Sequence, residues 1–257
     1  IDGGGTKTKA SLVDENLNIL AEAIGGPSNF LVFDINEVAD SLINLIVDIC
    51  IKANIDIQNV QAILLGTAGA GRRPDAERLE FAVNEKANER KIVVNNFRVE
   101  SDGRIALEGA FSGKPGSILI AGTGSIMFGK DAKGNLHRVG GFGRILGDEG
   151  SGFKIGRAGL SEVAKSYDNR NSGTILTQLL KDKFGISDST ELINEVYKNN
   201  FDIPTVAPLV IKAAEMNDEL CVDILNTEVD GLVKHITSMQ NKINEDTLFV
   251  SLIGGTI

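Results

Sequence analysis

The chain has 257 residues, a formal net charge of −9 and 5 % aromatic residues, with a sequence pI near 4.9 and no lysine or arginine cluster, which argues against nucleic acid or an anionic membrane as partner and for a small-molecule ligand. It carries no signal peptide and no run of about 18 apolar residues, and its two cysteines, Cys50 and Cys221, are too far apart for a CxxC redox pair or a metal knuckle. A cytoplasmic protein is expected, long enough for two compact domains; no initiator methionine is present and the chain stops at GGTI, so both ends read as trimmed.

The first residues, IDGGGTKTK, follow a short apolar stub with glycines, yet fit neither the P-loop spacing nor the dinucleotide fingerprint. KTKASLVDENLNILAEAIGG then reads as two strands joined by the turn DENLN. Val38, Leu42, Leu45, Ile46 and Ile49 recur on one face of a helix. VQAILLGTAG is a continuous apolar run, expected as a strand buried on both faces. PDAERLEFAVNEKANER reads as a charged surface helix and KIVVNN as a further short strand. The order β-β-β-α-β-α-β describes a mixed sheet with helices packed on it.

From residue 117 the pattern begins again. SILIAGTGSIMFGKDAKGNLHRVGG supplies a strand, a glycine turn, a strand, a polar turn and a third strand. Laid over the start of the chain, Gly3 and Gly5 match Gly122 and Gly124, Thr6 matches Ser125, and DENLN matches DAKGNL, a weak internal repeat. Residues 153–245 are mostly helical by periodicity, and TLFVSLIGGTI adds one more buried strand ending in a glycine pair. The Gly- and Pro-marked GKPG segment puts a boundary near residue 117, giving domains 1–117 and 118–257.

A strand that ends in Gly-x-Gly-Thr and folds back presents backbone N–H groups with no side chain in the way, so phosphate oxygens can approach them. Two such turns could grip a polyphosphate from both sides, with the hydroxyls of Thr6 and Ser125 as further donors; each alone reads equally well as a tight hairpin. Asp2 before the first turn suits a magnesium ion that bridges phosphates and keeps its waters, or caps the turn. Lys7 is a point cation for phosphate or a solvated hairpin lysine.

In RVESDGRIALEGAF (98–111), Asp102 stands between a strand and a helix start. It reads as an N-cap and as a carboxylate able to take a proton from a substrate hydroxyl, roles that are compatible. Glu100 and Glu108 are its rivals, Glu108 on a solvated helix face. GGFGRILGDEGSGFKIG (140–156) surrounds Asp148 and Glu149 with glycines before a helix from about Ser151. An aspartate on such a mobile loop can accept hydrogen bonds from vicinal sugar hydroxyls; the alternative is a capping box.

These segments, in this order, resemble the actin-like ATPase superfamily, and more narrowly the BadF/BadG/BcrA/BcrD ATPase family, which includes N-acetylglucosamine kinase. DGGGTKTK resembles the first phosphate motif, LIAGTGSIMFG the second, VSLIGGTI the adenosine motif, and GDEGSGFKIG the most family-specific piece. The resemblance implies an α/β fold of two actin-like (ribonuclease H-like) domains, each a mixed five-stranded sheet flanked by helices, with an interdomain cleft and a helical insertion in the second. It implies ATP and Mg2+ as cofactors, Asp2 on the metal side, and Gly3, Gly4, Gly5, Thr6, Lys7, Gly122, Thr123, Gly124, Ser125, Gly254 and Gly255 around the nucleotide. It makes Asp102 the catalytic base. GGPSNF (25–30) resembles a sugar-contacting loop, which puts Ser28 and Asn29 at the acceptor with Asp102, Thr123, Gly124 and Asp148; Phe30 reads as core.

The activity implied is transfer of the γ-phosphate of ATP to the C6 hydroxyl of an amino sugar: N-acetylglucosamine first, glucosamine or N-acetylmuramic acid otherwise. A second branch of the family contains ATPases that activate acyl-CoA dehydratases or reductases through an iron–sulfur cluster shared by two subunits. This chain has no cysteine between Cys50 and Cys221 to ligate one. Family members are often homodimers, and they continue past GGTI into a helix that packs back on the first domain.

Overall fold

The structure is a computed structural model, and it describes residues 1–67 and 69–256. The chain separates into two compact units, Ile1–Gly109 and Ala110–Ile257. In the first, β1 (Asp2–Gly3), β2 (Thr8–Val13), β3 (Ile19–Gly25), β4 (Ile63–Thr67) and β5 (Phe97–Glu100) form a five-stranded sheet in the order β3-β2-β1-β4-β5. β1–β2 and β2–β3 are antiparallel, β1–β4 and β4–β5 parallel. The parallel connections run through α1 (Ile35–Ala53) and α2 (Arg73–Glu89), so the expected element order is realised.

α1 begins at Asp34, whose carboxylate accepts from the amides of Asn36 and Glu37, and ends at Asn54, left-handed at φ 55. Its apolar face, Val38, Leu42 and Ile46, packs with Leu79 and Val83 of α2 against Leu65 and Val99 of the sheet, with Phe30 in the same core. The carbonyl and amide of Val99 are held by Arg73 (3.3 Å) and Glu80 (2.8 Å), which also pair with each other, so that α2 clamps the edge strand β5.

Two expectations change here. β4 is not buried along the whole of both faces: Leu65 is fully buried under the helices, whereas on the opposite face Leu64 is 47 % exposed and only Gly66 is covered. The last strand occupies Phe97–Glu100 rather than KIVVNN, because β4 begins at Ile63 and the ladder starts opposite it at Phe97. The preceding asparagines are spent on loop carbonyls: the side-chain amide of Asn95 donates to Gln58 and Val60, and that of Asn96 to Gln61.

α3 (Asp102–Phe111) leads into the second unit, where β6 (Gly116–Ala121), β7 (Ser125–Lys130), β8 (Leu136–Gly140) and β9 (Val250–Ile253) form a sheet in the order β8-β7-β6-β9. It has four strands among the described residues, not five, because the span between β8 and β9 goes into helices: α4 (Gly143–Leu146), α5 (Gly152–Tyr167), α6 (Leu176–Phe184), α7 (Ser189–Lys198), α8 (Ala207–Glu215) and α9 (Glu219–Ile243). β9 is parallel to β6 and lies at an edge, so Leu252 is 55 % exposed where a buried strand was expected. Met239 and Ile243 of α9 cover Leu119 and Met127 of the sheet, while α5, α6 and α8 build a separate core around Val163, Leu176, Leu180 and Val210.

The internal repeat is visible at the β2–β3 and β7–β8 turns. Asp14 Oδ1 accepts from the amides of Asn16 and Asn18 (both 2.9 Å), and its Oδ2 from Asn18 Nδ2 (2.9 Å). Asp131 Oδ1 accepts from Lys133 (2.9 Å) and Asn135 (2.8 Å), and its Oδ2 from Asn135 Nδ2 (2.9 Å). The left-handed residue is Leu17 (φ 65) in one turn and Gly134 (φ 83) in the other. Both aspartates are held below the ordinary carboxylate range, led by the side-chain bonds from Asn18 and Asn135. No helix among the described residues is long and apolar enough to cross a membrane.

Candidate active site

In the first unit the candidate residues gather at the carboxyl ends of the parallel strands β1, β4 and β5, where ligands of open α/β sheets bind. β1 ends at Gly3 and the chain turns back through residues 4–7, closed by the Gly4 amide donating to Lys7 O (3.0 Å). Gly5, Thr6 and Lys7 are exposed. A Cβ on Gly3 would lie 2.2 Å from Ser28 Oγ, so a glycine is required for the 25–30 segment to close against this strand. Ser28 is buried, its amide donating to Gly4 O (3.1 Å) and its hydroxyl 3.3 Å from Thr67 Oγ1, which itself donates to Ser28 O (3.1 Å). Ser28 and Thr67 therefore lock the loop under the turn. The half-buried Asn29 accepts from Leu31 N through Oδ1 (3.2 Å), and its Nδ2 has no hydrogen-bond acceptor among the described residues.

Asp102 opens α3 directly after β5. The capping bond is made by Ser101, whose hydroxyl accepts from Arg104 N (3.1 Å). Among the described residues Asp102 accepts only from its neighbour Gly103 N through Oδ1 (2.8 Å) and is exposed, so the cap read from sequence at Asp102 belongs to the residue before it. Glu100 pairs with Arg104 (2.9 Å) and approaches Arg73 (4.0 Å), whereas Glu108 is half-buried further along α3. Asp2 is exposed and accepts no hydrogen bond from the described residues, among which no group of three or more metal-ligating side chains occurs. A lone open carboxylate fits magnesium, which takes one or two carboxylates and leaves the rest of its shell to water and phosphate.

In the second unit the same end of the sheet carries the β6–β7 turn, closed by Gly122 N donating to Gly124 O (2.9 Å). Here the register corrects the sequence alignment. Ser125 pairs with Ala121 as Thr8 pairs with Gly3, so the counterpart of Ser125 is Thr8, not Thr6. Ser125 is buried and gives its hydroxyl proton to Glu149 O (2.6 Å), which ties this turn to the glycine-rich loop. Thr8 is buried with a hydroxyl that has no partner among the described residues. Gly254 and Gly255 follow β9 beside the turn: a Cβ on Gly254 would fall 1.9 Å from Ala121 O, and Thr256 Oγ1 donates to that carbonyl (2.6 Å).

The helix after Asp148 docks its first amides on the turn, with Gly152 N donating to Gly122 O (2.7 Å) and Phe153 N to Thr123 O (3.3 Å). Ser151 is the cap, accepting from Lys154 N (3.2 Å). Asp148 itself is left-handed (φ 63) and buried, and its carboxylate accepts no hydrogen bond from the described residues. It borders a cleft of about 530 Å³ lined by Thr123, Gly124, Arg144 and Phe153 on one side and by residues 200–204 on the other. The sequence offered no signal for the 200–204 wall, which reaches the site only because α5 folds against it.

The glycines of this loop let it pack against α9. A Cβ on Gly140 would meet His235 Nε2 at 2.1 Å, and one on Gly150 would meet Leu232 at 2.3 Å. Glu228 accepts from Gly150 N (2.6 Å), and His235 Nε2 lies 3.7 Å from Glu149 Oε2, so α9 holds the loop along its length.

Residues 1–257 match the BadF/BadG/BcrA/BcrD ATPase family. The chain belongs to that family. Among curated relatives it is 35 % identical to an N-acetylmuramic acid/N-acetylglucosamine kinase of Clostridium acetobutylicum, over 94 % of this chain and 80 % of that one. It is 31 % identical to an N-acetyl-D-glucosamine kinase of Dictyostelium discoideum, over 96 % of this chain and 80 % of the relative. A solved structure provisionally named N-acetylglucosamine kinase, from Chromobacterium violaceum, superposes with a TM-score of 0.76 at 26 % identity, covering 99 % of this chain and 86 % of that one. For this member of the BadF/BadG/BcrA/BcrD family the cysteines are core residues: Cys50 is buried in α1, and burial pushes the Cys221 thiol in α9 up to about 12.

Proposed function

We propose that the protein is an ATP-dependent amino-sugar kinase that transfers the γ-phosphate to the C6 hydroxyl of N-acetylglucosamine or a close analogue. The observation that carries this reading is the whole-chain similarity to curated amino-sugar kinases. Asp102 takes the proton of the acceptor hydroxyl as its oxygen attacks phosphorus, its outer carboxylate oxygen being left open by the Ser101 cap. Asp148 and Asn29 accept and donate to sugar hydroxyls, and the 4–7 and 122–124 turns offer backbone amides to phosphate. Asp2 would hold the magnesium ion, which neutralises phosphate charge when bound. The activator reading needs exposed thiolates for a cluster, and both cysteines are buried.

ADP release measured with glucosamine, N-acetylglucosamine, N-acetylmuramic acid and glucose tests the proposal. Stimulation by an amino sugar supports it; release no faster than without sugar for every acceptor refutes it.

A further inference from the structure

Arg144 lies on α4, in the same loop as Asp148 and on the lining of the same cleft. Its guanidinium stacks over the Phe153 ring, 5.5 Å from the centroid, and makes neither an ion pair nor a hydrogen bond to any described residue. The loop that carries it is fixed by the Gly147 amide donating to Gly143 O (2.8 Å) and by the α9 contacts. Acidic side chains outnumber basic ones in this chain, 35 to 26, and both Asp148 and Asp202 line the cleft, yet neither engages this arginine. A guanidinium oriented on an aromatic face with its donor edge unused is built for a planar anion, which it meets bidentately. The polar groups of a neutral hexosamine are hydroxyls and an amide, none of which calls for a cation.

We infer that Arg144 is a specificity-determining residue that recognises a carboxylate on the acceptor, so that the site is shaped for an acidic amino sugar as well as a neutral one. The inference rests on the amino-sugar kinase reading and adds the residue that distinguishes the two acceptor classes. A carboxylate on an ether arm of the sugar would reach past the ring hydroxyls to the exposed guanidinium, and loss of the arginine would remove its charge-assisted, two-pronged partner.

The test compares kcat and KM of the wild type, Arg144→Gln and Arg144→Lys with N-acetylmuramic acid and N-acetylglucosamine, which differ only by the carboxylate-bearing arm. For Arg144→Gln, kcat/KM with the acid is expected to fall about tenfold to a hundredfold, mostly through KM, with the neutral sugar changed by less than about twofold. Arg144→Lys should recover part of the loss, because it keeps the charge and loses the fork. An equal fall for both acceptors would assign the arginine to phosphate or to the fold, and no fall for the acid would remove it from recognition; either overturns the inference. Should neither sugar be phosphorylated, the four-acceptor ADP-release series decides the kinase reading and binding decides the arginine. Calorimetric titration of N-acetylmuramic acid then decides the arginine: affinity at least about tenfold weaker in Arg144→Gln supports it, and equal or undetectable binding to both proteins overturns it.

Discussion

The carboxylate of Asp148 rests against the backbone of Gly124, so closely that a Cβ on Gly124 would come within 2.9 Å of Oδ2. The second glycine of the turn thus has a job apart from phosphate: it leaves room for the acid of the next loop. Gly124→Ala should push the Asp148 carboxylate aside at small cost in stability, because the clash falls on the end of a side chain. The expected result is a rise in sugar KM of about tenfold or more, with Tm little changed. An unchanged KM would separate Asp148 from acceptor binding.

Asp102 and Ser101 divide two roles that the sequence placed on one residue. Asp102→Asn should lower kcat about a hundredfold or more, while the fold loses no more than the roughly 1 kcal/mol of one charge at a helix start. Ser101→Ala should do the reverse, lowering stability by about 1 kcal/mol with activity largely retained. Thermal unfolding and steady-state kinetics on both variants check the division, and near-normal turnover in Asp102→Asn would exclude it as the base.

Gly156 on α5 faces the carbonyl of Ile203, to which a Cβ would approach within 2.2 Å. The obstacle is backbone and cannot rotate away. Gly156→Ala is expected to cost about 1–3 kcal/mol, a fall in Tm of several degrees, and to shift the 200–204 wall of the cleft. A variant with wild-type Tm would mean that α5 and this segment are less tightly seated than described.

Asp218 caps α9 through the Cys221 amide and gathers two further groups: burial raises its pKa, but the Thr174 hydroxyl (2.7 Å) and the amides of Cys221 (3.0 Å) and Ile175 (2.6 Å) outweigh it and leave the carboxyl below its ordinary 3.8. A depressed folded-state pKa gives stability that is fully present above 3.8 and is lost as pH falls through the lower folded value. Unfolding measured on the wild type and Asp218→Asn should show a stability gap that is constant from neutral pH to about 4 and narrows below it. A gap that does not change with pH would show that the carboxylate charge contributes nothing.

Much of the architecture was legible because it rests on local periodicity. The α1 stripe from Val38 to Ile49 buries one helix face, and the alternating elements of residues 1–100 can satisfy that face only against a sheet. The DENLN and DAKGNL turns were legible as a repeat because the Asp-to-Asn spacing by itself permits the same three side-chain bonds. The alignment of the flanking strands was not, since one turn spans residues 4–7 and the other 122–124, and only strand register shows that Thr8, not Thr6, stands where Ser125 does.

The sequence by itself determined which chemical groups this protein carries and where along the chain they fall: two glycine turns, the acids Asp2, Asp102 and Asp148, and the asparagine of GGPSNF. These depend on residue type and short spacing, which local steric rules read directly. Only the tertiary structure decided which of their atoms are left to act. The hydroxyls of Ser28 and Ser125 are consumed by Thr67 and Glu149, the cap at α3 falls to Ser101, and the loop glycines are filled by His235 and Leu232 from α9. Those partners lie far away in sequence, and hydrogen-bond satisfaction and close packing between distant segments leave no local pattern to read.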